Sequence, residues 1–366
     1  MRRSVAWQDF DFVLLALVAT TTALGVAIIR SAVAGNQVLS GLPARQLIFA
    51  GVGFVTLILI ALVDYHYWIF LGRYLYFLTI GLLLFLNIVG EARFGSARWI
   101  DTGFFLIQPS EFAKIVIIVT TADFLSRHKE QLRQLRWVIL SFLYTMGLVI
   151  WVLVQPDLST SITLLVIWFA QVWAAGLEVK HLGLFTVLGL GAAVAGFPLL
   201  ADYQKARVIN FLFPDPNARH GAIYNVLQAL TAIGSGGLTG KGYGHGTQVQ
   251  LRFLKVRHTD FIFAAIGEEF GFVGATLVLV LLALIILRCL HVARTAHDAF
   301  GALIAYGVAA MLFFHTLVNV AMNLNMVPVT GLPLPFISYG GSTLISTLIG
   351  IGLVESVAVH RNPLQF

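Results

Sequence analysis

Cysteine is nearly absent from this chain: Cys289 stands alone in 366 residues. A single thiol excludes an internal disulfide and a thiolate metal cluster, and leaves the redox compartment unread. Charge is the second scarcity. Asp, Glu, Lys and Arg make up 11% of the chain, against about 25% in an average soluble domain. With 58% hydrophobic residues, so few charges do not furnish a soluble surface. The ten histidines show no metal-ligand spacing. No internal repeat and no low-complexity tract is evident. No cleavable leader with a small-residue cleavage site stands at the N-terminus, so the first apolar run is expected to act as an uncleaved insertion signal.

What the chain does have is long apolar runs near 20 residues, the length a helix needs to cross the hydrocarbon core. Ten spans are expected, over 11–30, 45–63, 68–88, 108–125, 137–154, 158–177, 182–200, 261–287, 300–323 and 339–359. The expected class is an all-α, polytopic membrane protein, one transmembrane domain over 1–366, with a large loop at about 201–260. Tyr65, Tyr67, Trp68, Tyr74 and Tyr76 read as an interfacial aromatic belt.

Lysine and arginine set the orientation. With the N-terminus inside, the short inner segments hold Arg2, Arg3, Arg127, Lys129, Arg133, Arg136, Lys180, Arg288, Arg294 and Arg361. The short outer loops hold only Arg30, Arg45, Arg93 and Arg98. The positive-inside rule then places both termini in the cytoplasm and the large loop outside. Within that loop, 221–233 (GAIYNVLQALTAI) has amphipathic helical spacing, suited to the membrane surface or to packing over the bundle. A glycine-dense stretch, 234–247, and a basic cluster, Arg252, Lys255, Arg257 and His258, follow.

On this topology every even-numbered span begins outside, and the scarce polar residues collect at those beginnings. Span four opens QPSEFAK, with Glu111 and Lys114. Span six opens QPDLSTS, with Gln155 and Asp157. Span eight opens RHTDFIF, with Asp260. Span ten follows PLPFISYGGS, with Ser338 and Tyr339. Helix starts carry unpaired N–H groups and partial positive charge, so several facing one hollow would attract phosphate. Ordinary caps explain any single one; the coincidence across four helices favours a site. Glu111 and Lys114, three apart, can pair on one face. A structural salt bridge and direct substrate contact weigh about equally for them.

Asp260 lies roughly 15 Å of helix before the strictly apolar run, near headgroup height. Partial desolvation would raise its pKa and suit a general base, while the cations beside it would lower the pKa. On local evidence an N-terminal helix cap is the stronger reading of His-Thr-Asp. Glu268 stands about 80° from Asp260 around an ideal helix and Glu269 nearly opposite, so at most one shares its face. Lys241 follows glycines but lacks P-loop spacing. Asn319 and Asn323 share a face of span nine, where interhelical hydrogen bonding is the default. The basic loop is expected to meet phospholipid or pyrophosphate outside the cell, and no nucleic acid.

At these residues the chain resembles the SEDS family (shape, elongation, division and sporulation). The resemblance rests on FGSARWI (94–100), QPSEFAK (108–114), QPDLSTS (155–161), DYQKARVINFLFP (202–214), AIGSGGLTGKGYGHGTQ (232–248), FLKVRHTDFIFAAIGEEFGFVG (253–274) and VPVTGLPLPFISYGGS (327–342). The short N-terminus and PVTGLPLPF look more like the RodA-like elongation branch than the FtsW-like division branch. Lys255-Val256-Arg257 departs from the Pro-Glu-Arg or Pro-Glu-Lys of many members and leaves HTDF intact.

The resemblance implies a ten-span peptidoglycan glycosyltransferase of the bacterial plasma (inner) membrane that polymerises lipid II into β-1,4 glycan, carried on undecaprenyl pyrophosphate. It implies a class B penicillin-binding protein as transpeptidase partner, and surrounding membrane lipids. The family's essential aspartate falls on Asp260 and its Glu–Lys pair on Glu111 and Lys114. Arg98, Gln155, Asp157, Arg207, Lys241, His258, Ser338 and Tyr339 are expected around the substrate. A divalent cation, Mg or Mn, is compatible with pyrophosphate, but no ligand set demands one. The competing expectations are a flippase for the lipid-linked precursor, with Glu111–Lys114 on its path, and a non-catalytic scaffold.

Overall fold

The computed structural model describes residues 9–89, 98–101, 103, 106–132, 134–214 and 221–360. Arg2, Arg3, Arg93, Arg133 and Arg361 of the charge count, and residues 94–97 of the FGSARWI motif, lie outside the described residues. In chain order the helices are α1 (Phe12–Ala32), α2 (Leu42–Leu62), α3 (Tyr67–Val89), α4 (Pro109–Arg127), α5 (Leu135–Val154), α6 (Leu158–Ala174), α7 (Val179–Gly196), α8 (Asp202–Leu212), α9 (Gly221–Gly236), α10 (Thr247–Gln250), α11 (Ile262–Thr295), α12 (Ala299–Asn323) and α13 (Gly341–Val359). Two short strands, β1 (Ile100–Asp101) and β2 (Leu106–Ile107), pair antiparallel ahead of α4, with Ile100 opposite Ile107.

The ten expected spans fall on α1 to α7 and α11 to α13. Seven of these helices are long and apolar enough to cross a bilayer unaided. The others are α4, which carries Glu111, Lys114, Asp123 and Arg127, α6, with 17 residues, and the glycine-containing α7. The molecule is an all-α polytopic membrane protein.

Helices α4, α12 and α13 form the centre, buried along most of their length. Close approach of α13 to α2 depends on small residues: a Cβ on Gly352 would stand 2.8 Å from the Leu57 carbonyl oxygen. Such contacts suit helix association in lipid, where apolar burial alone gives no drive. On the outer faces Phe70, Phe77, Phe272, Leu277 and Leu317 are exposed, as lipid-facing side chains are. The aromatic belt needs correction. Tyr65 is buried and its hydroxyl donates to Asp298 Oδ1 (2.9 Å). Tyr76 is also buried; it stacks on Tyr144 and donates to its carbonyl (2.7 Å). Of the tyrosines in the expected belt, Tyr67 and Tyr74 are exposed.

The loop between α7 and α11 holds three helices where one was expected. The apolar face of α9, with Val226, Ala229 and Ala232, packs on Leu254, Phe261 and Ala264. Of the two placements open to it, α9 therefore takes the one over the bundle. The loop also grips the end of α1 through main-chain carbonyls. Tyr243 Oη donates to Ala27 O (2.8 Å), Gln250 Nε2 to Ser31 O (3.1 Å), Arg257 Nε to Ala32 O (2.5 Å) and Arg252 to Gly35 O. Cations at a helix C-terminus also complement its dipole.

Span eight is not one continuous rod. Gly271 interrupts α11 with φ 65° and ψ −161°, leaving a buried half-helix, 262–270, and a longer, more exposed part. Its main chain abuts the glycine loop: a Cβ at Gly271 would lie 2.4 Å from Gly240 N and 2.6 Å from Leu238 O. Gly271→Ala is therefore expected to destabilise the protein by more than the ~1–2 kcal/mol of a left-handed L-residue alone, read as a lower melting temperature in detergent. An unchanged melting temperature would mean that the half-helix is not seated on the loop as described.

Candidate active site

The starts of α4, α6, α11 and α13 are tied together by hydrogen bonds. Gln108, at the head of α4, donates its main-chain N–H to Ser342 Oγ (3.1 Å) of α13 and its side-chain amide to Asp157 Oδ2 (3.1 Å). Asp157 caps α6, accepting from Thr160 N (3.2 Å) and Thr160 Oγ1 (2.9 Å). Just before α13, Ser338 Oγ donates to Thr259 O (2.8 Å) and Tyr339 N to His258 O (2.9 Å). The convergence read from topology is thus a bonded junction.

Asp260 stands at that junction, half-buried. It does not cap α11, contrary to the local expectation. The cap position is Phe261, without a side-chain cap bond, and the N–H of Ala264 donates instead to Asn323 Oδ1 (3.1 Å) on α12. The Asp260 main-chain carbonyl accepts from Asn319 Nδ2 (3.0 Å) and Asn323 Nδ2 (3.1 Å). Among the described residues no hydrogen bond reaches the carboxylate itself. Burial pushes the Asp260 carboxyl up to about 6, with the positive charge of Arg207 opposing. Gly331 faces it closely: a Cβ there would come within 3.7 Å of Asp260 Oδ2.

Arg207, on α8, donates to Thr330 O (3.2 Å) and lies over the Tyr203 ring. Ser159 Oγ of α6 donates to the same Thr330 carbonyl (2.7 Å). The segment around 330 therefore links Asp260, Arg207 and the start of α6. Beside Arg207 a small cavity of about 30 Å³ is lined also by Asn210, Phe211, Val226 and Val329. A larger cavity, about 640 Å³, lies away from this chemistry, between α6, α11 and α12, lined by Phe169, Trp173, Ile286 and Phe313.

The other expected residues are placed as follows. Arg98 donates to Gln155 O (2.8 Å), Pro156 O (2.5 Å) and Tyr203 Oη (2.6 Å), joining the start of α6 to α8. The Gln155 amide turns to Leu83 O on α3 (3.1 Å). Lys241 is spent on Glu268 (2.8 Å), which also accepts from Thr247 Oγ1, Gln248 N and Val249 N. Glu269 accepts from Ser31 Oγ (2.5 Å). Both glutamates thus anchor the glycine loop and α1, and neither joins Asp260. Among the described residues His258 Nδ1 is buried without a partner; burial, then Arg257, hold its pKa below the ordinary value. Burial raises the Tyr339 phenol, against a hydrogen bond from Arg45.

Glu111 and Lys114 pair at 2.8 Å and are 3% and 1% exposed. Ser346 Oγ of α13 donates to the same Glu111 oxygen (3.2 Å), and His315 Nε2 of α12 lies 3.5 Å from Lys114 Nζ. His315, Asn319 and Asn323 follow at four-residue intervals on one face of α12, running from the Glu111–Lys114 pair to Asp260. His315 is not among the residues expected at the site, although that polar period on an apolar helix is its signal in the sequence. Among the described residues no three His, Cys, Asp or Glu side chains gather as metal ligands. Asp260 has Arg207, not a second carboxylate, as its charged neighbour.

The comparisons with known proteins agree with this architecture. The model of the FtsW/RodA/SpoVE family of cell cycle proteins matches residues 11–363. The peptidoglycan glycosyltransferase MrdB of Escherichia coli K12 is 38% identical over 332 residues, 89% of this chain and 88% of the relative. One chain of a peptidoglycan synthase complex that coordinates polymerization and crosslinking superposes with a TM-score of 0.82 at 32% identity, covering 97% of this chain and 99% of that one. The rod shape determining protein RodA of Thermus thermophilus gives 0.72 at 32% identity, over 98% and 99%. With its four helix starts bonded around one unpaired acid and a family match along nearly its whole length, this chain belongs to the FtsW/RodA/SpoVE (SEDS) family.

Proposed function

We propose that this protein is a peptidoglycan glycosyltransferase that polymerises lipid II, with Asp260 as the general base. The observation that carries the reading is a half-buried carboxylate without a hydrogen-bond partner among the described residues, at the meeting point of four helix starts. The donor is a sugar joined to a polyprenyl chain by pyrophosphate, a good leaving group. The acceptor's 4-hydroxyl loses its proton to Asp260 as its oxygen bonds to the donor's anomeric carbon. The bond from that carbon to pyrophosphate breaks, and the electron pair leaves with the phosphate. One displacement inverts an α-linked donor to a β-1,4 glycan, so the second carboxyl that glycoside hydrolases use to protonate a poor leaving group is not required. Arg207 and the helix starts supply fixed positive potential for the departing pyrophosphate. A base raised to about 6 matches neutral operating pH better than an ordinary aspartate.

The termini lie in the cytoplasm and the site faces outward, where the Lys and Arg distribution puts it. Glu111 and Lys114 act from beneath by locking α4, α12 and α13; Arg98, Gln155, Asp157, Ser338 and Tyr339 shape the hollow by holding its rims. Lys241 supports the glycine loop, and His258 and Arg207 stand nearest the reacting acid. A class B penicillin-binding protein is the partner, and the elongation branch is the better match. Lipid tails occupy the apolar grooves. A flippase finds less support, because the buried Glu111–Lys114 pair is mutually satisfied and sealed.

The test is purified protein, with a partner whose transpeptidase is disabled, given lipid II in detergent, where flipping has no meaning. Glycan chains are expected. Their absence from an intact, monodisperse complex would favour the scaffold or flippase instead.

A further inference from the structure

The half-helix 262–270 begins with N–H groups that need acceptors, as every helix does. Asp260 and Thr259 are the nearby side chains suited to that task. A carboxylate that accepted those N–H groups would be lowered in pKa and tied to the helix. In the structure the acceptor comes from another helix: Asn323 Oδ1 takes the Ala264 N–H at 3.1 Å. The same Asn323 amide donates to Asp260 O (3.1 Å) and to Asn319 O (2.8 Å). Asn319 donates to Asp260 O (3.0 Å) and to Leu332 O (2.8 Å), holding the Asp260 segment against the loop that carries Gly331. Both asparagines are fully buried, at 0% exposure, so neither reaches substrate.

We infer that Asn319 and Asn323 are positioning residues for the base: Asn323 caps the half-helix in place of Asp260, and the two amides clamp the Asp260 carbonyl, leaving its carboxylate unpaired for the acceptor hydroxyl. This rests on Asp260 being the base. An asparagine suits the post because one planar amide both accepts and donates; aspartate keeps the acceptor and loses the donor. Among the described residues the charge that bears on Asp260 is Arg207 on α8; Arg257 and His258 stand on its own segment, and Tyr339, before α13, bonds to the His258 carbonyl. On α12 the clamp itself is neutral, and His315 lies one turn further along, against Lys114.

The experiment measures kcat and KM for lipid II against pH in the complex with the disabled transpeptidase, alongside thermal unfolding. Asn323→Ala is expected to lower kcat by about 10²-fold, the scale of an ångström misplacement, with KM unchanged. Its acid limb should move to lower pH, because Asp260 takes the vacated N–H. Asn323→Asp restores the acceptor, so the acid limb returns to the wild-type position or above it while kcat stays low. Asn319→Ala leaves the cap intact and should lower kcat without moving the limb; it serves if Asn323→Ala does not fold. Folded variants with wild-type kcat and pH profile overturn the inference. So does a loss explained wholly by a smaller active fraction, with the profile of the survivors unmoved. Asp260→Ala in the same assay separates the two readings. If it still polymerises, the base assignment fails; if it is inactive while the asparagine variants behave as wild type, only the positioning role fails.

Discussion

Polymerisation by Asp260→Ala protein is expected to fall by about 10²–10⁴-fold, the contribution of a positioned general base, while the protein stays folded. Asp260→Asn should do the same, since the amide keeps the shape and loses the basicity. The pH dependence follows from the raised carboxyl. Only the ionised acid can accept the hydroxyl proton, so wild-type kcat should climb as pH rises through about 6 and level off above it. Stability runs the other way. The folded state holds this proton up to about 6, against an ordinary 3.8, so the stabilisation is full below 3.8 and is lost as pH rises to about 6. Above that, burying the ionised group costs up to about 3 kcal/mol for a two-unit shift. Asp260→Asn does not titrate and should therefore melt higher than wild type above pH 6 while being inactive. Equal melting temperatures at neutral pH would mean that the carboxylate is well solvated. Undiminished glycan synthesis in either variant would place the base elsewhere.

The second large effect belongs to the core pair. Lys114→Ala leaves Glu111 buried without its counter-charge, which is expected to cost about 3–5 kcal/mol, as for other broken buried pairs. Folded yield and melting temperature should both drop. Replacing both partners, as Glu111→Leu with Lys114→Met, removes the charges together and should recover most of the loss, because apolar groups of like volume replace buried ion pairs well. Polymerisation by that double variant is the informative readout. Activity that returns with stability fits a pair that only locks α4, α12 and α13. A stable but inactive double variant would put the pair in contact with substrate.

The spans were legible because apolar runs of membrane length have few other uses, and the four polar helix starts were legible because charge is so scarce. The i to i+3 spacing of Glu111 and Lys114 was enough to expect their pairing. What stayed hidden depends on partners distant in sequence. Asp260 reads as its own helix cap until Asn323, 63 positions away, is seen doing that work. Helical geometry leaves at most one of Glu268 and Glu269 open as a companion of Asp260, and the fold turns both elsewhere, to Lys241 and Ser31. The break at Gly271 hides inside an apolar run, although 34 residues are more than a bilayer needs. Tyr65 and Tyr76 have interfacial composition but core positions, which hydropathy does not distinguish. Helices α8 and α10 are short, and their order comes from neighbours rather than from periodicity.

The grip of the loop between α7 and α11 on α1 has an evolutionary corollary. Tyr243, Gln250, Arg252 and Arg257 all seize peptide oxygens, at Ala27, Ser31, Gly35 and Ala32. At Ala27 and Ala32 such a latch does not read the side chain, so these places can drift in identity while the anchorage persists; Ser31, whose hydroxyl also serves Glu269, and Gly35, at φ 68°, are held to type. The latch is strict about count. One extra residue in α1 would swing every later carbonyl by about 100° around the axis, and the whole set of holds would miss at once.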